Sequence, residues 1–134
     1  MKTILTTAAL LALAAPAFAE GDAAKGEKEF RKCKACHMIV DDEGETIVRG
    51  GRTGPNLYGV IGRVAGGVED FRYGPGLEAA AEDGFTWTEE EVAVYTADPS
   101  AWLEQKGYPK RSKMTFRLRK GGEDVAAYLA SVAE

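Results

Sequence analysis

The chain is poor in the side chains that most often carry chemistry. Its 134 residues hold one histidine, His37, and two cysteines, Cys33 and Cys36. A structural zinc site needs more nitrogen and sulfur ligands than these three supply. A thioredoxin-like cysteine pair needs a βαβ setting, and no run of alternating apolar residues is long enough to read as a strand. Internal repeats and low-complexity stretches are missing as well. The one long apolar run, Ile4–Ala15, is shorter than the ~20 residues that span a bilayer.

What is present is concentrated. Cys33-Lys34-Ala35-Cys36-His37 places two thiols two residues apart with an imidazole directly after them, the pattern by which a chain attaches haem covalently. Each thiol can form a thioether to one haem vinyl group, and His37 is then held against the iron as an axial ligand. With a single histidine, the second axial ligand cannot be another imidazole. Methionine, thiolate or tyrosine remain, and both cysteines are already used. Met1 lies in the N-terminal leader, and Met38, bonded to His37, cannot reach the other haem face. That leaves Met114. It sits in the polar, basic stretch Lys110–Phe116, where no apolar stripe explains it as a filler of core gaps. Cys33, Cys36, His37 and Met114 are therefore the expected haem-binding residues, with His37 and Met114 on the metal. An iron so occupied can exchange an electron but offers no open position to a substrate, so no catalytic residue is expected and the protein is not read as an enzyme.

Met1–Ala19 reads as a secretory signal peptide. Lys2 supplies the positive start, Ile4–Ala15 the apolar stretch and Ala17-Phe18-Ala19 the small-residue cleavage site. Cleavage leaves Glu20–Glu134, one domain by length. Export to the periplasm agrees with covalent haem attachment, which bacteria perform outside the cytoplasm, and leaves no stable membrane insertion. Of the 16 glycines many lie between Gly44 and Gly76, which implies long loops wrapped over something. Asp22 can cap a first helix running to about Lys34. A short helix fits Leu77–Asp83, stopped by Gly84. Thr88-Glu89-Glu90-Glu91 has the form of a capping box with Trp87 and Val92 as its staple, opening a helix to about Ala97. Asp98-Pro99 starts another, ended by Gly107, and a last helix follows Gly121-Gly122, with Val125, Leu129 and Val132 as its buried stripe. The predicted fold is all-α, about five short helices and long loops around one haem.

From Gly21 onward these residues resemble the class I cytochromes c, and most of all their long bacterial form, the cytochromes c2. Gly26 and Phe30 match the family's N-terminal helix, and Tyr128 and Leu129 the C-terminal helix that crosses it. Thr53-Gly54-Pro55-Asn56-Leu57 resembles the loop whose Pro55 carbonyl accepts from His37 Nδ1–H. The resemblance implies that Arg63, Tyr73 and Trp87 neutralise or hydrogen-bond the haem propionates. It implies too that the Tyr95 hydroxyl approaches the methionine sulfur, with Asp98-Pro99, Trp102 and Ser112-Lys113-Met114 completing the pattern. Two departures from the short mitochondrial form mark the long one: a stretch after His37 that includes Asp41-Asp42-Glu43-Gly44-Glu45, and extra chain between Pro99 and Met114. Leu77 replaces a polar residue of the short form, so an internal water network is not carried over.

The formal net charge is −4, yet the basic residues gather in two segments. One holds Lys25, Lys28, Arg31, Lys32 and Lys34; the other runs from Lys106 to Lys120. These segments carry the two expected axial ligands and should converge at the haem edge, with Lys32, Lys34, Lys113 and Arg119 ringing it. The acidic remainder would repel a polyanion, which sets nucleic acid aside. The sequence thus predicts a soluble, monomeric, monohaem carrier of single electrons that steers its basic edge toward acidic surfaces on membrane redox complexes. The resemblance implies a membrane cytochrome bc complex as donor and a photosynthetic reaction centre or terminal oxidase as acceptor. The alternative is a dedicated electron donor or haem subunit of one periplasmic respiratory enzyme.

Overall fold

A computed structural model describes residues 20–134; the expected leader, 1–19, lies outside the described residues. Helix α1, Ala23–Glu29, is capped by Asp22, whose side chain accepts from the Lys25 amide at 3.1 Å. The sequence predicts this helix to about Lys34, but it tightens at Phe30–Lys32 into a 3₁₀ turn. From there the backbone bonds span three or four residues in separate turns, Cys33 N–H to Phe30 and Cys36 and His37 N–H to Cys33. The tighter winding carries the two cysteines and His37 off the helix axis.

A hairpin that the sequence pattern does not predict follows His37. Strands β1, Ile39–Val40, and β2, Thr46–Val48, form an antiparallel hairpin with an irregular register. Two and three residues are too few to display a period of two, and the irregularity breaks what alternation there is. The acidic stretch between them is a turn organised by its own side chain: Asp41 Oδ1 accepts from the Glu43 and Glu45 amides at 3.0 and 2.8 Å.

The remaining helices lie close to their expected places. Helix α2, Pro75–Glu82, begins two residues before Leu77 because Pro75 at its first position has no amide left unpaired. Helix α3, Glu89–Ala97, is capped by Thr88 Oγ1, which accepts from the Glu91 amide at 3.1 Å. Only half of the capping box forms. The Glu91 carboxylate turns away from Thr88 and instead accepts from Trp102 Nε1 at 2.6 Å and Lys106 Nζ at 2.5 Å. Those bonds fasten α3 to α4, Pro99–Gln105, itself capped by Asp98. Helix α5, Gly122–Val132, ends the chain and packs on both α1 and α3. Among the described residues no helix is long and apolar enough to cross a membrane.

The frame is set by the crossing of α1 and α5. A Cβ at Gly26 would lie 1.9 Å from the Asp124 carbonyl oxygen and 2.8 Å from Tyr128 Cβ, so only glycine allows the two backbones this approach. Phe30 and Tyr128 close the crossing with rings 5.8 Å apart. Val125 and Leu129 of α5 are buried as well. Gly26→Ala should therefore force the helices apart and cost roughly 3 kcal/mol, read from denaturant unfolding; a variant of unchanged stability would show that the crossing is not tight.

Candidate functional site

Between the helices and the loops lies a cavity of about 280 Å³, and all four expected residues line it. Its walls are mostly apolar: Val125 and Leu129 from α5, Val92 and Tyr95 from α3, and Leu57 and Val60 from the central loops. His37 is buried, Cys33 and Met114 are half-buried, and Cys36 is exposed.

His37 is held from two sides. Its Nδ1 lies 2.8 Å from the Pro55 carbonyl oxygen. A carbonyl can only accept, so Nδ1 carries the proton and Nε2 keeps its lone pair. Burial is the largest influence on the ring and holds its pKa below the usual 6.5, against the Pro55 bond and with help from the Arg63 charge. The imidazole is therefore kept neutral, the state that binds a metal. Gly54 presses on the ring, where a Cβ would stand 2.3 Å from His37 Cε1. Asn56 secures this loop to the hairpin: its Oδ1 accepts from Val40 N–H at 3.0 Å and its Nδ2 donates to Val40 O at 2.8 Å.

The two thiols are free. Burial, with Glu29 and Cys36 adding to it against Lys32, pushes the Cys33 thiol up to about 11. A redox nucleophile or zinc-bound thiolate needs the opposite shift. Among the described residues no group of three or more His, Cys, Asp or Glu is placed to hold a metal ion. Cys33 and Cys36 are spaced as in a covalent haem-attachment motif.

Met114 is positioned by a neighbour. Ser112 Oγ accepts from the Met114 amide at 3.1 Å and donates to its carbonyl at 3.0 Å. The Tyr95 hydroxyl lies 3.5 Å from the Ser112 Oγ that holds the Met114 backbone.

Arg63 supplies a test of whether the cavity fits a haem. Its Nη1 donates to the Asn56 and Tyr58 carbonyls at 3.0 and 3.2 Å, while its Nε is buried without a partner. Arg63 lines the cavity, and a guanidinium there suits an anionic group. Tyr73 and Trp87 line the same cavity. Apolar walls, two thiols, an imidazole nitrogen, a thioether and a guanidinium together suit a large apolar ring that carries carboxylates and a metal. The residues fit the group.

The basic edge differs in part from expectation. Lys32 and Lys113 reach the cavity wall, joined by Arg111, whereas Lys34 and Arg119 are exposed but do not line it. Lys113 Nζ donates to the Arg72 carbonyl at 3.1 Å, which ties the Met114 loop across to the chain before α2.

No family model matches the chain. It is 58% identical to cytochrome c2 of Rhodobacter capsulatus over 138 residues, spanning all of both chains. Cytochrome c-551 of Roseobacter denitrificans is 54% identical over 134 residues, covering 98% of this chain and 96% of that protein. The solved structure of Rhodobacter capsulatus cytochrome c2 superimposes with a TM-score of 0.83 at 55% identity, covering 85% of this chain and all of that one.

The approach of Gly54 to His37 gives a direct check on the site. Gly54→Ala should displace the ring, cost about 2 kcal/mol, and remove the slowly exchanging His37 Nδ1 proton from NMR spectra. Persistence of that proton at unchanged stability would mean the loop yields without the ring.

Proposed function

The chain belongs to the class I cytochromes c in their long cytochrome c2 form, and on that premise we propose that it is a periplasmic carrier of single electrons. Its cofactor is one covalently bound haem c. In this reading residues 1–19 are a leader removed on export, and the remaining single domain attaches the haem through Cys33 and Cys36. His37 Nε2 and Met114 Sδ would hold its iron. What supports the assignment is the meeting of these four side chains on one apolar cavity that Arg63 also lines.

When bound, the haem supplies an iron that gains or loses one electron. The residues of the chain set the conditions for that exchange. Pro55 fixes the imidazole ring and raises its basicity through the Nδ1 hydrogen bond. Ser112 presents the Met114 thioether, a ligand that favours the reduced metal and raises the potential above that of histidine alone. Arg63 offsets the charge of the propionates, and the apolar walls keep water from the metal. With both His37 and Met114 holding the iron, the chain would leave no position open to a substrate, which is the reason it acts as a carrier and not as an enzyme.

By its family, the electron donor is a membrane cytochrome bc complex and the acceptor a photosynthetic reaction centre or a terminal oxidase. Lys32, Arg111 and Lys113, at the cavity wall, form the surface that meets an acidic partner.

Replacing the sixth ligand tests the carrier assignment. Met114→Ala should abolish the thioether–iron absorption band of the oxidised protein, lower the reduction potential, and let cyanide or carbon monoxide bind. A variant with unaltered spectrum and potential would mean that another residue ligates the iron.

Docking has its own test. The Debye length falls from ~10 Å at 0.1 M salt to ~3 Å at 1 M, so electron transfer to the acceptor should slow as salt is added. Lys113→Glu should depress the association rate far more than Asp42→Lys. Rates that rise with salt, or that follow Asp41–Glu45 and ignore the basic residues, would place the docking surface on the acidic hairpin instead.

A further inference from the structure

The segment that carries Met114 lies outside every helix and strand. Among the described residues, none from 109 to 117 takes part in a backbone-to-backbone hydrogen bond. A stretch bound so sparsely opens at little free-energy cost unless side chains fix it. Its two ends are firm. Helix α4 closes in a left-handed turn at Gly107, φ 80°. There the Gly107 amide donates to Glu104 O at 3.1 Å and the Tyr108 amide to Leu103 O at 2.9 Å. Beyond Met114 the Leu118 amide donates to Thr96 O at 2.7 Å.

Between those ends the loop is laid along α2 and the residues leading into it. The contacts run in reverse order on the two stretches. The Tyr108 hydroxyl donates to Oδ2 of Asp83, the residue that caps the C-terminus of α2, at 2.6 Å. Pro109 O lies where a Cβ at Gly76 would be only 2.6 Å away. Arg111 O and Lys113 Cγ would each stand 3.4 Å from a Cβ at Gly74. Lys113 Nζ reaches Arg72 O at 3.1 Å. As the loop advances from 108 to 113, its partners fall back from 83 to 72.

These ties differ in strength. An exposed lysine holds little, whether it bonds a carbonyl, as Lys113 does, or a carboxylate, as in the pair Lys110–Glu104 at 3.2 Å. The Tyr108–Asp83 bond is short and has a carboxylate as acceptor. Its donor is a stiff ring that rests on Trp102 with centroids 6.2 Å apart. The bond to Asp83, with burial adding to it, pushes the phenol up to about 12, so the proton stays on Tyr108. Among the described residues Asp83 takes part in no ion pair that would compete for its carboxylate.

We propose that Tyr108 and Asp83 are positioning residues for Met114: their hydrogen bond fastens the loop to α2 and sets how often the thioether leaves the iron. The inference rests on the haem reading above. With the bond made, the loop lies on α2 and Ser112 presents Met114 to the cavity. With it broken, residues 109–113 lift from α2 and take the methionine with them. A carrier needs that second state to be rare, because its potential is set by the thioether.

The test mixes oxidised, haem-loaded protein with imidazole and follows the thioether–iron absorption band. At high imidazole the rate stops depending on its concentration and equals the rate at which Met114 departs. Tyr108→Phe removes only a hydroxyl and should raise that limiting rate roughly fivefold, the factor that the usual net worth of one hydrogen bond gives. Asp83→Ala should do the same, and the double variant should be no faster than either, since both break one bond. Asp83→Asn keeps an acceptor and should stay close to the parent protein. Glu104→Gln, which frees Lys110 but leaves α2 alone, should change nothing. Hydrogen exchange of the amides from 110 to 117 should quicken by the same factor in Tyr108→Phe, while those of α1 and α5 keep their rates. An unchanged limiting rate in Tyr108→Phe would overturn the proposal. So would single-variant effects that multiply in the double, or exchange in α1 and α5 that rises in step with the loop. A parent protein without the thioether–iron band would instead fail the ligand assignment, and exchange of the loop would still decide whether Tyr108 and Asp83 hold it.

Discussion

A hydrogen bond of 2.8 Å from His37 Nδ1 to the Pro55 carbonyl ties together the two stretches of chain that make the site. One stretch descends from α1 through the 3₁₀ turn and ends in Cys33–His37; the other is the loop around Pro55, fastened in turn to the hairpin by Asn56. The bond does several things at once. It decides which ring nitrogen keeps its lone pair, it fixes the plane of the ring, and it satisfies a buried donor. Gly54 has to be glycine because the ring occupies the space a side chain would take. The geometry of the remaining wall follows from this fixed point and from the α1–α5 crossing at Gly26, which sets how far the cysteines stand from α5.

The cavity is walled by residues of the core itself. Val125, Leu129, Trp87 and Val92 are core residues and cavity wall together. A short chain buries a modest apolar interior, and here a part of that interior faces the cofactor. Folding and cofactor attachment are for this reason linked: each wall residue contributes to stability only as far as something apolar lies against it.

Much of this was legible in the sequence. The caps at Asp22, Thr88 and Asp98 form as the residue types imply, because a cap is a local interaction over three residues. The four cavity residues could be reached by counting donors, since so few exist in the chain. What escaped was long-range or too short to be periodic. Glu91 looks like the closing glutamate of a capping box, but its carboxylate is drawn to Trp102 and Lys106, eleven and fifteen residues on; a buried indole N–H and an ammonium outcompete one exposed amide. The hairpin has too few residues to show its alternation. The link from Tyr95 to Met114 through Ser112 depends on how a loop folds back on a helix, and no spacing encodes it. Of the basic residues, those near the ligands in sequence did not all arrive near the cavity: Lys34 follows Cys33 but is directed outward, while Arg111, further from Met114 than Lys113, lines the wall.

The central claim is that Cys33 and Cys36 hold a haem by covalent bonds, and intact mass spectrometry of the mature protein after acid–acetone treatment tests it most directly. The account expects the mass of Glu20–Glu134 plus one haem, with the pigment remaining on the protein and both cysteines blocked to thiol reagents. A bare polypeptide mass, with pigment in the solvent and two reactive thiols, would contradict it.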